Sequence, residues 1–160
     1  MHPTKNDLPQ KTRVKVDAVL ADRLADATDI TLQAKQAHWN VKGPNFIALH
    51  ELFDRVHDAA REWVDLIAER IVQLGGQAEG TVQATSKRTS LKPYPLDLVN
   101  GPDHVETLSS SLAAFGKKVR SAIDETDDLG DKDTADIFTE ISRDVDKYLW
   151  FVEAHNQRTK

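Results

Sequence analysis

Two uninterrupted stretches dominate this chain. Residues 14–42 and 45–74 contain neither proline nor glycine, and only Gly43-Pro44 separates them. In the first, apolar residues recur at Val16, Val19, Leu20, Leu24, Ala27, Ile30, Leu32 and Ala34, the period of one helix face. The second begins behind Asn45, a residue suited to cap a helix, and is stopped by Gly75-Gly76. At about 1.5 Å per residue it would be roughly 45 Å long. Residues 77–101 change character, with Gly80, Thr81, Thr85, Ser86, Thr89, Ser90, Pro93, Pro95 and Gly101. They read as a connection holding a short helix around Leu96–Asn100. Asp103 followed by Glu106 has the form of a capping box. It opens a third helix through Leu108, Leu112, Phe115, Val119 and Ile123 to about Asp128, broken by Gly130. A fourth starts near Asp131 or Asp133 and carries Ile137, Ile141, Val145, Leu149 and Val152 on one stripe. No segment alternates as a strand would, and no repeat occurs.

Four long amphipathic helices with the one long connection in the middle predict an all-α chain. The expected fold is a ferritin-like four-helix bundle, with a short helix between helices two and three. Its 160 residues suffice for one domain with a real core. The expected layout is a flexible tail over 1–13, the bundle over 14–157 and a short tail over 158–160. The absence of cysteine excludes disulfides, thiolate metal sites and cysteine nucleophiles. Met1 is the only methionine, so the bundle offers no methionine ligand to haem, and no haem is expected. No apolar run approaches the roughly 20 residues of a membrane helix, and the N-terminus lacks the apolar core of a secretory signal. A cytoplasmic protein is the expectation. A net charge of −5 does not advertise nucleic-acid binding over the whole surface.

The residues that carry chemistry concentrate on helix two. His50 and Asp54 form an i,i+4 pair, as do Asp65 and Glu69. Taking His50 as zero and stepping about 100° per residue, Asp54 falls near about 40°, Asp65 near about 60° and Glu69 near about 100°. The apolar set Leu49, Phe53, Val56, Ala60, Trp63, Val64, Ile67, Ile71 and Leu74 occupies about 220–320°, so the ligand stripe lies beside the core face. Asp54 and Asp65 are about 16 Å apart along the axis, whereas metal–ligand bonds are about 2 Å. One helix therefore cannot bring both pairs to one ion. An antiparallel copy related by a two-fold axis can, giving two identical sites per dimer. His38, near the end of helix one, would approach His50 if the first two helices form a hairpin. Two imidazoles and three carboxylates suit Fe(II), with Zn(II) as a competitor.

Other readings stand beside this one. A His–Asp pair on a helix is often a solvated ion pair, and Asp58 and Arg61 on the same arc could make the stripe a surface ion network. His50-Glu51-Leu52-Phe53-Asp54 ends in aspartate where a zincin motif has histidine. No glycine-rich phosphate loop is present. Glu-x-x-His, which marks a di-iron site inside a bundle, is absent.

Several segments together resemble the Dps family, the DNA-binding proteins from starved cells or mini-ferritins. They are Gln36-Ala37-His38-Trp39-Asn40-Val41-Lys42-Gly43-Pro44-Asn45-Phe46, His50-Glu51-Leu52-Phe53-Asp54, Ala68-Glu69-Arg70 and Gln73-Leu74-Gly75-Gly76. Thr134-Ala135-Asp136-Ile137 and the run Ser142 to Phe151 resemble the family's last helix. The resemblance covers almost the whole chain. It implies a shell of twelve subunits around an iron-storing cavity, about 215 kDa in all. It also implies a ferroxidase centre at each two-fold interface, with His38, His50 and Asp54 from one chain and Asp65 and Glu69 from its neighbour. Trp39 matches a tryptophan beside the centre thought to absorb or relay electrons; a packed interface aromatic is the other reading. The implied reaction oxidises Fe(II), preferably with hydrogen peroxide, to stored ferric mineral, and so protects DNA and the cell.

The resemblance further implies acidic pores at the three-fold axes, for which Asp131, Asp133, Asp136, Glu140 and Asp146 are candidates. DNA-binding members use a lysine-rich N-terminal tail; here Lys5, Lys11, Arg13 and Lys15 stand against Asp7, with Arg158 and Lys160 at the other end. Such contacts depend strongly on salt. The acidic body opposes them, so weak DNA binding is expected. A DNA-compacting, nucleoid-associated shell with iron oxidation secondary is the competing reading.

Overall fold

A computed structural model describes residues 1–157. Arg158 and Lys160, named above as possible DNA contacts, lie outside the described residues. Five helices follow one another: α1 Gln10–Asn40, α2 Phe46–Gln73, α3 Val82–Arg88, α4 Gly101–Asp128 and α5 Lys132–Glu153. The four long ones form the expected bundle. α1 pairs with α2 and α4 with α5 as two helical hairpins, which meet through α1 on α4 and α2 on α5. The long connection carries α3 across α1. Among the described residues the only β pairing is one isolated bridge between Lys42 and Asn100.

The helix ends explain where sequence reading erred. α1 starts at Gln10, so the segment before it is shorter than the expected 1–13 tail. Arg13 holds that start in place. It is buried, donates from Nε to the Leu8 carbonyl at 3.0 Å, and from Nη1 to the Leu74 carbonyl at 2.8 Å. The last contact supplies a donor to an orphan carbonyl at the end of α2. Asn45 takes the N-cap position of α2, but its side chain makes no capping bond. The third long helix is capped by Asn100, whose Oδ1 accepts from the Asp103 amide at 3.0 Å, and not by the Asp103/Glu106 box. Pro102 then falls in the first turn, where a missing N–H costs nothing. Asn100 must be extended to cap, and that forbids the short helix expected around Leu96–Asn100. The helix forms instead over Val82–Arg88, behind Thr81, whose hydroxyl accepts from the Ala84 amide. Gly75 and Gly130 end α2 and α5's predecessor α4 with φ of +87° and +84°, the left-handed turn that favours glycine.

The core runs the length of the bundle. Leu20, Leu24 and Ile30 of α1 meet Phe53, Trp63 and Ile67 of α2, Leu112 and Phe115 of α4, and Phe138 and Ile141 of α5, all essentially inaccessible. The rings of Trp63 and Phe115 stack with centroids 5.8 Å apart. The predicted apolar face of α2 is buried as read, except that Val64 is only partly covered. Leu32, counted with the α1 face, is 53% exposed.

One titratable pair sits at the edge of this core. His104 of α4 is buried, and its Nδ1 shares a 2.8 Å hydrogen bond with the Tyr94 hydroxyl. Burial lowers the His104 pKa from its usual 6.5. An unfolded imidazole takes up a proton as pH falls through about 6.5, while the buried one resists. The unfolded state therefore binds more protons below that pH, and stability declines as pH falls. Thermal midpoints between pH 7 and pH 5 should fall less steeply in His104→Gln than in the parent chain. Equal slopes would show that His104 is not the group responsible.

Candidate metal centre

α1 and α2 bring His38 and His50 face to face. Their rings stack with centroids 3.7 Å apart and planes 21° off parallel. His38 Nδ1 lies 2.8 Å from the His50 carbonyl oxygen, and His50 Nδ1 lies 2.9 Å from the His38 carbonyl oxygen. A carbonyl only accepts, so each Nδ1 carries the proton and donates. In the neutral rings this leaves both Nε2 lone pairs free for a metal, the tautomer that a backbone hydrogen bond enforces in metal-ligating histidines.

Asp54 stands at the same corner. Its Oδ1 is 3.9 Å from His38 Nδ1 and is ion-paired with Lys35 Nζ. The hydrogen bond from Lys35 holds the Asp54 carboxyl below the usual carboxylate range, so it is ionised at neutral pH. Sequence reading missed Lys35. The signal was its place three residues before His38, on the same side of α1. His57, three residues after Asp54, was missed as well. Its Nδ1 donates to the Thr31 carbonyl at 3.1 Å, leaving its Nε2 unprotonated in the neutral ring.

Asp65 and Glu69 are not brought to this corner. Both are exposed on α2 and make no ion pair within the chain among the described residues. With Asp54 and Asp65 eleven positions apart on one continuous helix, the separation of about 16 Å stands. Among the described residues no three of His, Asp and Glu come together closely enough in one chain to hold a metal ion. Trp39, beside His38, is 68% exposed, so it is not a packed aromatic within the chain.

The segments matched to Dps in sequence thus lie on α1, α2 and α5 of a four-helix bundle and in the turn between α1 and α2. The chain matches the model of the ferritin-like domain over residues 18–160. It is 50% identical to the DNA protection during starvation protein of Agrobacterium fabrum, over 98% of this chain and 96% of that one. The protein of the same name from Mycolicibacterium smegmatis is 32% identical over 92% of this chain and 80% of the relative. This chain belongs to the Dps family of the ferritin-like superfamily. Solved structures agree. Dps from Mycobacterium smegmatis, in its tetragonal form, superposes with a TM-score of 0.93 at 31% identity, covering 98% of this chain and 95% of that one. Dps from Microbacterium arborescens, in a high iron form, gives 0.86 at 34% identity, covering 95% and 97%.

Within this Dps chain, one pore candidate has another role. Asp131 is buried, caps α5 by accepting from the Thr134 amide at 3.1 Å, and pairs with Arg70 Nη2 at 2.7 Å. It cannot also line an open channel. Asp133, Asp136 and Glu140 are exposed along α5, and Asp146 is engaged by Arg120 at 2.8 Å. Of the basic residues named near the N-terminus, Arg13 is withdrawn into the fold, while Lys5, Lys11 and Lys15 are exposed. No helix among the described residues is long and apolar enough to cross a membrane.

Proposed function

We propose that this Dps chain is a ferroxidase and iron store that takes Fe(II) as substrate at a centre shared by two subunits. His38, His50 and Asp54 come from one chain, and Asp65 and Glu69 come from the next. The observation that carries this reading is the paired imidazoles. Their Nδ1 atoms are tied to each other's backbone carbonyls, so both Nε2 atoms are left as ligands beside an ionised Asp54. Exposed Asp65 and Glu69 on the same helix complete the donor set only when a second copy supplies them.

Carboxylates and imidazoles bind Fe(II), and the carboxylates also favour the higher charge of Fe(III). Two Fe(II) each give one electron; one hydrogen peroxide accepts both with two protons, and its O–O bond breaks to give two waters. Pairing the irons avoids the one-electron cleavage that would release hydroxyl radical. Lys35 neutralises Asp54 until a cation takes its place. Trp39, exposed beside the centre, is placed to donate an electron to a stray oxidant or to pack against the neighbouring subunit.

The same reading has twelve subunits close a shell around the ferric mineral. Iron enters past Asp133, Asp136 and Glu140. The protein works in the cytoplasm, where removing iron and peroxide protects DNA. With Arg13 buried and a net charge of −5, DNA is held weakly through Lys5, Lys11 and Lys15, and compaction is not the primary role. Fe(II) added without oxygen, followed by limiting peroxide, tests the activity. About two irons should be oxidised per peroxide with little spin-trapped hydroxyl radical. One iron per peroxide with abundant radical would refute it.

A further inference from the structure

Of the chain's two tyrosines, Tyr94 and Tyr148, Tyr94 alone has a base at its hydroxyl among the described residues. It stands in the connection between α3 and α4, in the run Pro93-Tyr94-Pro95. A residue before proline is held extended, which limits how its ring can swing. Gln33 Nε2 ties the same stretch to α1 by donating to the Lys92 carbonyl at 3.2 Å. The Tyr94 ring is partly buried against the core and lies 21° from parallel to the His104 ring, centroids 6.0 Å apart. His104 also meets Phe53, with centroids 6.4 Å apart. Phe53 directly precedes Asp54, so three rings lead from the connection to the helix that bears proposed ligands.

The 2.8 Å contact between the Tyr94 hydroxyl and His104 Nδ1 has a direction. Imidazole is the stronger base, so the hydroxyl donates and Nδ1 accepts. Nε2 then carries the ring's own proton. It is buried without a hydrogen-bond partner, so no relay leads a proton away through it. Burial pushes the Tyr94 phenol above its ordinary range, so it does not ionise by itself. A phenol that loses an electron, however, becomes a strong acid. In a partly buried site the electron leaves readily only if the proton has somewhere to go, and Nδ1 is placed to take it. Burial disfavours the imidazolium so formed, while the Leu98 carbonyl and Asp103 favour it. Tyr148 has the opposite setting. Lys147 Nζ sits 4.6 Å from its ring centre, and a cation there resists the loss of an electron.

We propose that Tyr94 and His104 form a reversible one-electron sink within the subunit. The oxidant is a hydroxyl radical, left when a lone Fe(II) cleaves peroxide. It takes one electron from the Tyr94 ring and becomes hydroxide. The phenolic O–H bond breaks, and its proton passes to His104 Nδ1. The pair is then a neutral tyrosyl radical hydrogen-bonded to an imidazolium. A further Fe(II) returns the electron and becomes Fe(III), and the proton goes back to the phenol oxygen. Because the proton stays on the pair, the site resets without exchange with solvent. The step takes its oxidant from the iron chemistry proposed above, but the pair itself is built without metal.

An iron-free oxidant tests the pair by itself. Flash-generated tris(bipyridine)ruthenium(III), acting on the full chain, should leave a tyrosyl radical visible by EPR. In deuterium oxide that signal should couple to one exchangeable deuteron, the one held by His104. Tyr94→Phe should lose the signal and Tyr148→Phe should keep it, both with helicity unchanged. His104→Gln keeps an acceptor for the hydroxyl but removes the base. Its radical should form at least about tenfold more slowly, and its rate should rise with buffer concentration while the parent's does not. A lasting radical on Tyr148 or on a tryptophan of the parent chain would overturn the proposal. So would a His104→Gln chain with the parent's rate and no dependence on buffer. If the pair responds to ruthenium in this way while Asp65→Ala/Glu69→Ala oxidises iron normally, the sink stands and the metal-centre reading falls.

Discussion

Replacing Asp65 and Glu69 together by alanine should abolish rapid iron oxidation while leaving the fold intact. Both side chains are exposed in the chain and bond to nothing within it among the described residues, so their removal opens no cavity and strands no buried partner. What is lost is the anionic half of the donor set. Two imidazoles and Asp54 alone bind the ion with fewer ligands and less charge. The initial rate of oxidation by peroxide should drop by at least about a hundredfold, since losing even a group that only orients a ligand costs about 10–100-fold at a metal site. Slow mineral growth on other acidic surfaces would persist, so the rapid phase is the quantity to measure by stopped flow. A variant with the parent's rapid phase would remove Asp65 and Glu69 from the centre.

Arg70→Ala should give the largest loss of stability among the polar positions. Arg70 is 6% exposed, and its guanidinium makes two well-formed contacts, Nε to the Thr134 hydroxyl at 2.9 Å and Nη2 to Asp131 at 2.7 Å. Asp131 is 2% exposed. Truncating Arg70 leaves a buried carboxylate without its cation, which costs about 3–5 kcal/mol. At fixed protein concentration the thermal midpoint should fall by about 10 °C. Asp131→Asn in the Arg70→Ala background should recover part of the loss, because it keeps an oxygen to cap α5 and removes the unpaired charge. A midpoint within about 2 °C of the parent would contradict this assignment. Arg70 follows Glu69 directly, so the same contact also fixes the end of α2 that presents a proposed ligand.

These two cases mark what the sequence made legible. The four long helices, the buried face of α2 and the stops at Gly75 and Gly130 follow from spacing and backbone freedom, which are local. So does the gathering of the five proposed ligands on two segments. The errors lie where tertiary partners decide. Asp131 looked like one more exposed acid of a helix start, until Arg70, sixty-one residues away, was found beside it. Arg13 looked like part of a basic tail, but the α2 C-terminus needed its donors. Lys35 was overlooked because a lysine is no metal ligand, although it is the group that holds Asp54. Asp103 and Glu106 matched a capping pattern, yet Asn100 stood three residues earlier with the same chemistry and a proline placed to follow it.

The central claim is that each centre is built by two chains, and subunit mixing tests it directly. A chain with His38→Ala/His50→Ala lacks the imidazoles but keeps Asp65 and Glu69; a chain with Asp65→Ala/Glu69→Ala has the reverse. Each assembled alone should lack rapid oxidation. Unfolded together in equal amounts and refolded, half the dimers should be hybrids, each with one complete centre and one doubly deficient one. The mixture should therefore regain about one quarter of the parent's rapid phase. A mixture as inactive as its components would contradict a centre shared between chains.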